Sequence, residues 1–283
     1  MIGDAAAAAT SVRGGRHETL TQQRFWIGAL VAAVGVGSVF WAPAFAALLL
    51  LVGILGTFEL KNIARRTGAE LSASVAICAC AAYTVLAYIG QLERYESVLV
   101  GGIIVASLVS AFAHGSDRFA GRCGMTLFAS MYLGKLLSYF VLLRVAPHGA
   151  ALTLWVIVLV ALTDIFGMIG GLRFGRTKMA ERLSPHKTWE GAIVAFVVAT
   201  IAGVGMSFLP QIAAPWWLGL LLGAATSVAA EIGDLFESAL KRNAQIKDSG
   251  RILAGHGGVL DRFDSYLVAG VVAYTILGIA GRL

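Results

Sequence analysis

The 283-residue sequence predicts an all-α, polytopic integral membrane protein with about nine transmembrane helices and a cytoplasmic N-terminus. Three observations predict it. First, 58% of the residues are hydrophobic and only 13% are charged, against roughly 45–50% and about 25% in soluble domains. Second, the apolar residues gather into runs near the ~20 residues that a bilayer-spanning helix needs. Third, the segments between those runs are alternately rich and poor in Lys and Arg, as expected when basic loops stay in the cytoplasm. The composition excludes an ordinary soluble enzyme, and 34 glycines without a fixed period exclude a collagen-like chain. A net charge of +6 is too small for a nucleic-acid binder but large enough to orient a chain in a bilayer.

Residues 1–24 are alanine-rich and polar and lack the apolar core of a cleaved signal peptide, so they read as a disordered cytoplasmic tail. The apolar run over 25–58 is too long for one helix. It divides at Trp41-Ala42-Pro43, because proline ends or kinks a helix and tryptophan prefers the membrane interface. Further spans are predicted over roughly 72–91, 97–114, 125–145, 150–172, 192–212, 216–236 and 265–281. The chain thus divides into N-terminal transmembrane helices over 25–145 and a C-terminal transmembrane region over 146–283 with cytoplasmic loops at 173–191 and 241–264. With this partition 18 of the 22 Lys and Arg residues fall on one side. Arg94, Arg144 and Arg282 fall on the other, and Lys135 lies inside a span. A single helix over 25–58 would break the alternation. Cys78, Cys80 and Cys123 have no further ligands at metal-binding spacing and read as plain buried thiols.

Half of all charged residues lie between Asp164 and Asp264. Ionisable groups in a span are costly unless they face a bundle interior, a wet cavity or a partner, so they are functional candidates. Span eight ends AAEIGDLFESALKR, which puts Glu231, Asp234, Glu237, Ser238 and Lys241 within an arc of about 120° on one helix face. Pairing of Glu237 with Lys241 at helical spacing is the plain alternative. Three acids nevertheless exceed what Lys241 and Arg242 neutralise, so the face invites a cation. Oxygen-only ligands favour a hard ion such as Mg²⁺ over zinc.

The next loop, NAQIKDSGRILAGHGGVLDRFD, interleaves Lys247, Asp248, Arg251, His256, Asp261, Arg262 and Asp264 with glycines. That pattern suits a loop whose amides and basic side chains wrap phosphate while its carboxylates hold metal. It is not a P-loop, because no G-x-x-x-x-G-K-[ST] occurs. Upstream, SPHKTWEG at 184–191 reads as the start of span seven, with Ser184 as N-cap and Pro185 at the first helical position. Asp164 lies within span six; a structural pair with Lys135 is the alternative to a functional role.

The residues Ser238-Ala-Leu-Lys-Arg, Lys247-Asp248, Gly250, Leu253 and His256-Gly-Gly-Val-Leu-Asp-Arg-Phe-Asp264 resemble the signature of the phosphatidate cytidylyltransferases (CDP-diacylglycerol synthases). The match covers 27 consecutive positions with one departure, Ala254, where that family has proline or glycine. GDLFES at 233–238 and SPHKTWEG are similar to segments of the same family. The resemblance implies transfer of a cytidylyl group from CTP to phosphatidic acid, giving CDP-diacylglycerol and pyrophosphate for phospholipid biosynthesis. It implies Asp234 and Asp261 as metal-holding acids, with Glu237 beside them, and Mg²⁺ as cofactor with a companion monovalent cation such as K⁺. Asp234, Asp261, Lys241 and Asp264 would be catalytic; Lys241, Arg242 and Lys247 would hold phosphates. Asp248, His256 and Arg262 belong to the same signature, and Ser184, Lys187 and Thr188 would border the cavity.

Asp164 matches an acid that opens an Asp-x-x-Ala-Tyr segment followed by Gly-Lys or Gly-Arg. Here Met168 and Leu172 replace the tyrosine and the basic residue, with Arg173 next in line. A different lipid phosphate as acceptor is therefore the alternative within the family. A cation-coupled transporter would also place Asp164, Glu231 and Asp234 in spans but needs no phosphate-type loop. The implied partners are CTP, phosphatidic acid and the bilayer, with no nucleic acid. A homodimer is compatible with Gly101-Gly102 and the run from Gly219 to Gly223, which permit close helix packing. The implied location is a bacterial inner membrane with the site facing the cytoplasm.

Overall fold

A computed structural model describes residues 28, 30, 32–113, 115, 118–250 and 257–283; the expected tail lies outside the described residues. Residues 32–38 are helical, a turn follows at 39–40, and α1 (Ala42–Arg66) begins just before Pro43. The long apolar run is therefore divided where proline and tryptophan predict. Proline is tolerated in the first turn, where its missing N–H would have had no partner. Then come α2 (Ala73–Tyr88), α3 (Leu92–Phe112) and α4 (Phe119–Ala129), which passes through a π-helical segment, Ser130–Lys135, into α5 (Leu136–Val145). After α6 (Gly149–Phe174) a hairpin of β1 (Lys178–Ala180) and β2 (Ser184–Thr188) leads into α7 (Trp189–Ser207), α8 (Trp216–Asn243) and α9 (Leu260–Ile279). Among the described residues, seven helices are long and apolar enough to cross a membrane, with Phe119–Val145 counted as one; α2, at 16 residues, is shorter. The protein is an all-α polytopic membrane protein with one small sheet.

Four helices extend beyond the predicted spans on the same side. α1 runs to Arg66 rather than 58 and α8 to Asn243 rather than 236, while α4 starts at Phe119 rather than 125 and α9 at Leu260 rather than 265. All four extensions lie at the basic-rich ends. Hydropathy marks where a helix meets lipid, whereas helical hydrogen bonding continues into the polar stretch, where Glu237 and Asp261 find Lys241, Arg122 finds Glu70, and Glu59 finds backbone amides.

The hairpin corrects the reading of SPHKTWEG as a helix start. Ser184 and Pro185 lie in β2, antiparallel to β1, with Lys178 opposite Thr188 and Ala180 opposite Ser184. The N-cap of α7 is Thr188, whose Oγ1 accepts from the Gly191 amide at 3.2 Å. The Glu190 carboxylate accepts the backbone N–H groups of Arg176 and Thr177 at 3.1 Å. That contact draws the chain before β1 back against the start of α7, so the segment between stays extended and the helix starts at Trp189.

Consecutive helices α6, α7, α8 and α9 pack most extensively, and α5 joins them through α9. The run Gly219 to Gly223 is used inside the chain: a Cβ on Gly223 would lie 2.5 Å from the Ala199 carbonyl oxygen of α7, whereas Gly101 and Gly102 face open space. Of the cysteines only Cys80 is buried; Cys78 is exposed and Cys123 half-buried. Two residues of helix turn the side chain by about 200°, so Cys78 and Cys80 cannot share a face. Lys135 pairs with Glu96 of α3 rather than with Asp164. The three arginines of the basic-poor side are each engaged: Arg144 donates to the Val39 carbonyl, Arg282 to those of Ile212 and Ala213, and Arg94 lies 5.5 Å over the Tyr95 ring.

Gly233 marks a close approach between α8 and α9. A Cβ there would strike the Asp264 carbonyl oxygen and lie 3.2 Å from Ser265 Cα. Gly233→Ala should force these backbones apart and destabilise the protein by about 1–3 kcal/mol, read as a lower melting temperature in detergent micelles. Gly101→Ala, whose new methyl meets nothing within 4 Å, should leave it unchanged.

Candidate active site

The basic-rich ends of α1, α6, α8 and α9 converge with the hairpin. On α8, Glu231 and Asp234 are three residues apart and so share a face. Lys187, from β2, reaches both: its Nζ pairs with Glu231 and lies 2.8 Å from Asp234. Two turns further on, Lys241 Nζ donates to Glu237 at 2.8 Å and to Asp261 of α9 at 2.7 Å. The Glu237–Lys241 pair read from the sequence is thus present, and the same ammonium also ties α8 to α9. Asp261 is further held by the backbone N–H groups of Gly258 and Ser249, at 2.7 and 3.0 Å. Asp264 accepts from the Ser265 amide at 2.7 Å. Asp164, from α6, accepts from Ser265 Oγ at 3.2 Å, and Ser238 Oγ is 3.4 Å from Asp234.

The sequence profile of the Cytidylyltransferase family matches residues 22–280. The chain belongs to the cytidylyltransferase family. Among its relatives, it is 33% identical over 223 residues to phosphatidate cytidylyltransferase 4, chloroplastic, of Arabidopsis thaliana, covering 70% of this chain and 56% of the plant protein. It is 36% identical over 157 residues to the phosphatidate cytidylyltransferase of Bacillus subtilis, covering 55% of this chain and 58% of that protein. The corresponding figures for the Helicobacter pylori protein of the same name are 34% over 186 residues, 64% and 65%. The chain thus spans somewhat less than two thirds of the length of these curated relatives.

In this cytidylyltransferase-family chain, six carboxylates (Asp164, Glu231, Asp234, Glu237, Asp261, Asp264) surround two lysines, Lys187 and Lys241. Glu237 is fully buried; its Oε2 is paired with Lys241 while its Oε1 has no hydrogen-bond partner. Acids outnumber the lysines that answer them, and buried carboxylate left short of partners is costly, so the cluster suits additional positive charge. Its donors are all oxygen, which suits a hard dication such as Mg²⁺. Among the described residues no three His, Cys, Asp or Glu side chains converge on one point; Lys241 Nζ stands between Glu237 and Asp261, and Lys187 Nζ between Glu231 and Asp234.

The other expected site residues are placed around this centre. Arg242 donates to the carbonyls of Leu183 and Ile246 at 3.1 and 3.0 Å, tying the hairpin to the exit of α8. Lys247 and Asp248 line an open cavity of about 890 Å³ with Asn62, Arg65 and Arg66. Arg262 lines a separate cavity of about 330 Å³, walled by Phe45, Leu49, Phe140 and Tyr266. Ser184 sits at the far end of β2 from Lys187, and Thr188 serves as the cap of α7. His256 lies outside the described residues. Met168 and Leu172, exposed by 63% and 81%, follow Asp164 at helical spacing, so the two departures from the family pattern border the same face.

Glu59 is the residue that the sequence reading misses. It sits on the extension of α1, 2% exposed, and accepts from Ser249 Oγ, Val259 N and Leu260 N. The only local signal is an acid just past the end of an apolar run, and ending that span at 58 leaves it in a loop.

Burial alone would lower the pKa of Lys187, but the carboxylates of Asp234 and Glu231 outweigh it and hold the ammonium above its ordinary value of 10.5. A group whose pKa is raised by folding contributes stability that is complete below the ordinary value and fades as pH rises through the raised one. Lys187→Met should therefore lower the melting temperature near neutral pH, with the deficit narrowing only above pH 10.5.

Proposed function

We propose that the chain transfers a cytidylyl group from CTP to phosphatidate, giving CDP-diacylglycerol and pyrophosphate, on the cytoplasmic face of a bacterial inner membrane. The observation that carries this reading is the pair of lysines suspended among six carboxylates at the basic-rich helix ends, beside the Gly257-to-Asp264 segment. The names of the relatives support the same reaction, as does an apolar cavity that meets Arg262 next to Asp261. Family membership lends no support to a cation-coupled transporter.

In this reaction a phosphate oxygen of the lipid attacks the α-phosphorus of CTP in line. A new P–O bond forms, the bond to the bridging oxygen breaks, and its electron pair leaves with pyrophosphate. A phosphate monoester is already largely ionised near neutral pH, so no strong general base is needed, consistent with a site of lysines and carboxylates. Lys187 and Lys241 are held at the centre, where positive charge stabilises phosphoryl oxygens. Asp234 and Asp261 would hold Mg²⁺, since one or two carboxylates with substrate phosphates suffice for that ion, and it would supply further charge neutralisation there; Glu237, buried against Lys241, is not brought to the same point. Lys247 and Arg242 at the rim suit the nucleotide's phosphates, and Arg262 the lipid headgroup. A companion monovalent cation such as K⁺ fits the excess of acids.

Purified protein in detergent or nanodiscs, given labelled CTP, phosphatidate and Mg²⁺, should form labelled lipid; absence of product with an active control enzyme in parallel defeats the reading. Chelation should stop the reaction and Mg²⁺ restore it. Asp261→Asn should reduce kcat by at least about 100-fold, the scale for losing a preorganised electrostatic group, without loss of membrane insertion. Because Met168 and Leu172 border Asp164, a panel of lipid phosphates should be run alongside; stronger labelling of another acceptor would reassign the substrate.

A further inference from the structure

We infer that Glu59 is a positioning residue: its buried carboxylate holds Ser249 after α8 and Val259 and Leu260 at the start of α9, and thereby fixes Asp261. The consequence for rate rests on the cytidylyltransferase reading; the clasp itself does not.

Glu59 comes from the N-terminal half of the chain, 190 positions before Ser249 and 200 before Val259. Its Oε2 accepts from Ser249 Oγ at 3.0 Å and from Leu260 N at 2.9 Å, and its Oε1 from Val259 N at 2.9 Å. Among the described residues no Lys or Arg forms an ion pair with it. Leu260 is the first residue of α9, so the anion sits on the unpaired amides and positive end of that helix. The approach is made possible one turn away, where Gly56 of α1 packs against Leu260: a Cβ there would lie 3.1 Å from Leu260 Cδ2.

Asp261 is held by the same two flanks. Ser249 donates its amide to Asp261 and its hydroxyl to Glu59, while on the other flank Gly258 N donates to Asp261 and the next two amides to Glu59. Ser249 and the Gly258-to-Leu260 backbone are therefore shared by two carboxylates, Glu59 from α1 and Asp261 from the lysine–carboxylate cluster. Gly258 has a role here beyond flexibility: a Cβ on it would lie 2.6 Å from Glu59 Oε2, so only glycine lets the backbone close over the acid. Gly250 makes a similarly close approach to the Glu59 carboxylate. Without Glu59 the amides of Val259 and Leu260 lose their acceptor, and Ser249 and Gly258 lose the anchor that aims them at Asp261.

The test uses the full chain in detergent micelles with Glu59→Gln, which keeps the shape but turns one carboxylate oxygen into an amide NH₂. That group must face Val259 N–H or Leu260 N–H, donor against donor. Hydrogen exchange at these two amides should accelerate by at least about 10-fold. The Mg²⁺ concentration for half-maximal cytidylyl transfer should rise by about 10–100-fold, as for other groups that orient metal ligands, with a smaller change in the KM for CTP. Ser249→Ala, which removes one bond and leaves the charge, should shift both readouts less in the same direction, and the double variant should exceed Glu59→Gln very little, because the residues act through one network.

Unchanged exchange at Val259 and Leu260 would overturn the clasp. Faster exchange with an unchanged Mg²⁺ requirement would overturn the positioning role and leave Glu59 a brace for α1. If Glu59→Gln does not fold, Ser249→Ala alone decides by the same two readouts. Failure of the wild-type protein to make CDP-lipid would instead defeat the assigned reaction, while the exchange measurement still decides the clasp.

Discussion

A charge withdrawn from water in a membrane protein must be answered by another charge or by hydrogen bonds within the protein, and the site is organised by that requirement. α8 brings Glu231, Asp234 and Glu237 on one face, and Lys241 alone cannot answer them. The second cation comes from outside the bundle, on the short hairpin between α6 and α7, where Lys187 reaches Glu231 and Asp234. Lys241 in turn holds Asp261, so the pairing that neutralises α8 also locks α9 beside it. The remaining excess of carboxylate, including the unpartnered oxygen of buried Glu237, leaves the cluster suited to receive positive charge.

The surrounding architecture serves this arrangement. Helices that leave the apolar layer on the basic-rich side continue as helices, which brings rigid backbone rather than loop to the cluster. Gly233 lets α8 and α9 touch at the level of Asp234 and Asp264. The hairpin is kept extended by Glu190, which gathers the amides of Arg176 and Thr177, and its far end is tied to α8 by Arg242. Glu59 holds the opposite wall. Residues far apart in the chain thus support a small number of atoms, and the proposed in-line transfer would draw on that precision.

Much of this was legible in the residue order. The division at Trp41 to Pro43, the acidic face of α8 and its local pair with Lys241 all follow from periodicity and charge spacing, and the structure carries each of them. SPHKTWEG was misread because Ser-Pro is a strong local helix-start signal, while the contact that overrides it, Glu190 with Arg176 and Thr177, spans a chain reversal. The alternative pairing of Asp164 with Lys135 does not occur, because two charges in spans meet only if their helices adjoin; Lys135 meets Glu96 instead. Cys78 and Cys80 share one apolar run, but a helix points positions two residues apart in nearly opposite directions.

By itself the sequence determined the membrane class, the approximate spans, the family-like signature and which short segment concentrates the charge, because these depend on composition and on spacings within a helix turn or a loop. The tertiary structure alone decided which charges meet: Lys187 with Asp234, Lys241 with Asp261, and Glu59 with amides 200 positions away. The reason is physical. Hydropathy and periodicity report how each segment meets lipid or water, whereas the partner of a buried charge is set by which helices pack together, and that information is not carried by any one segment.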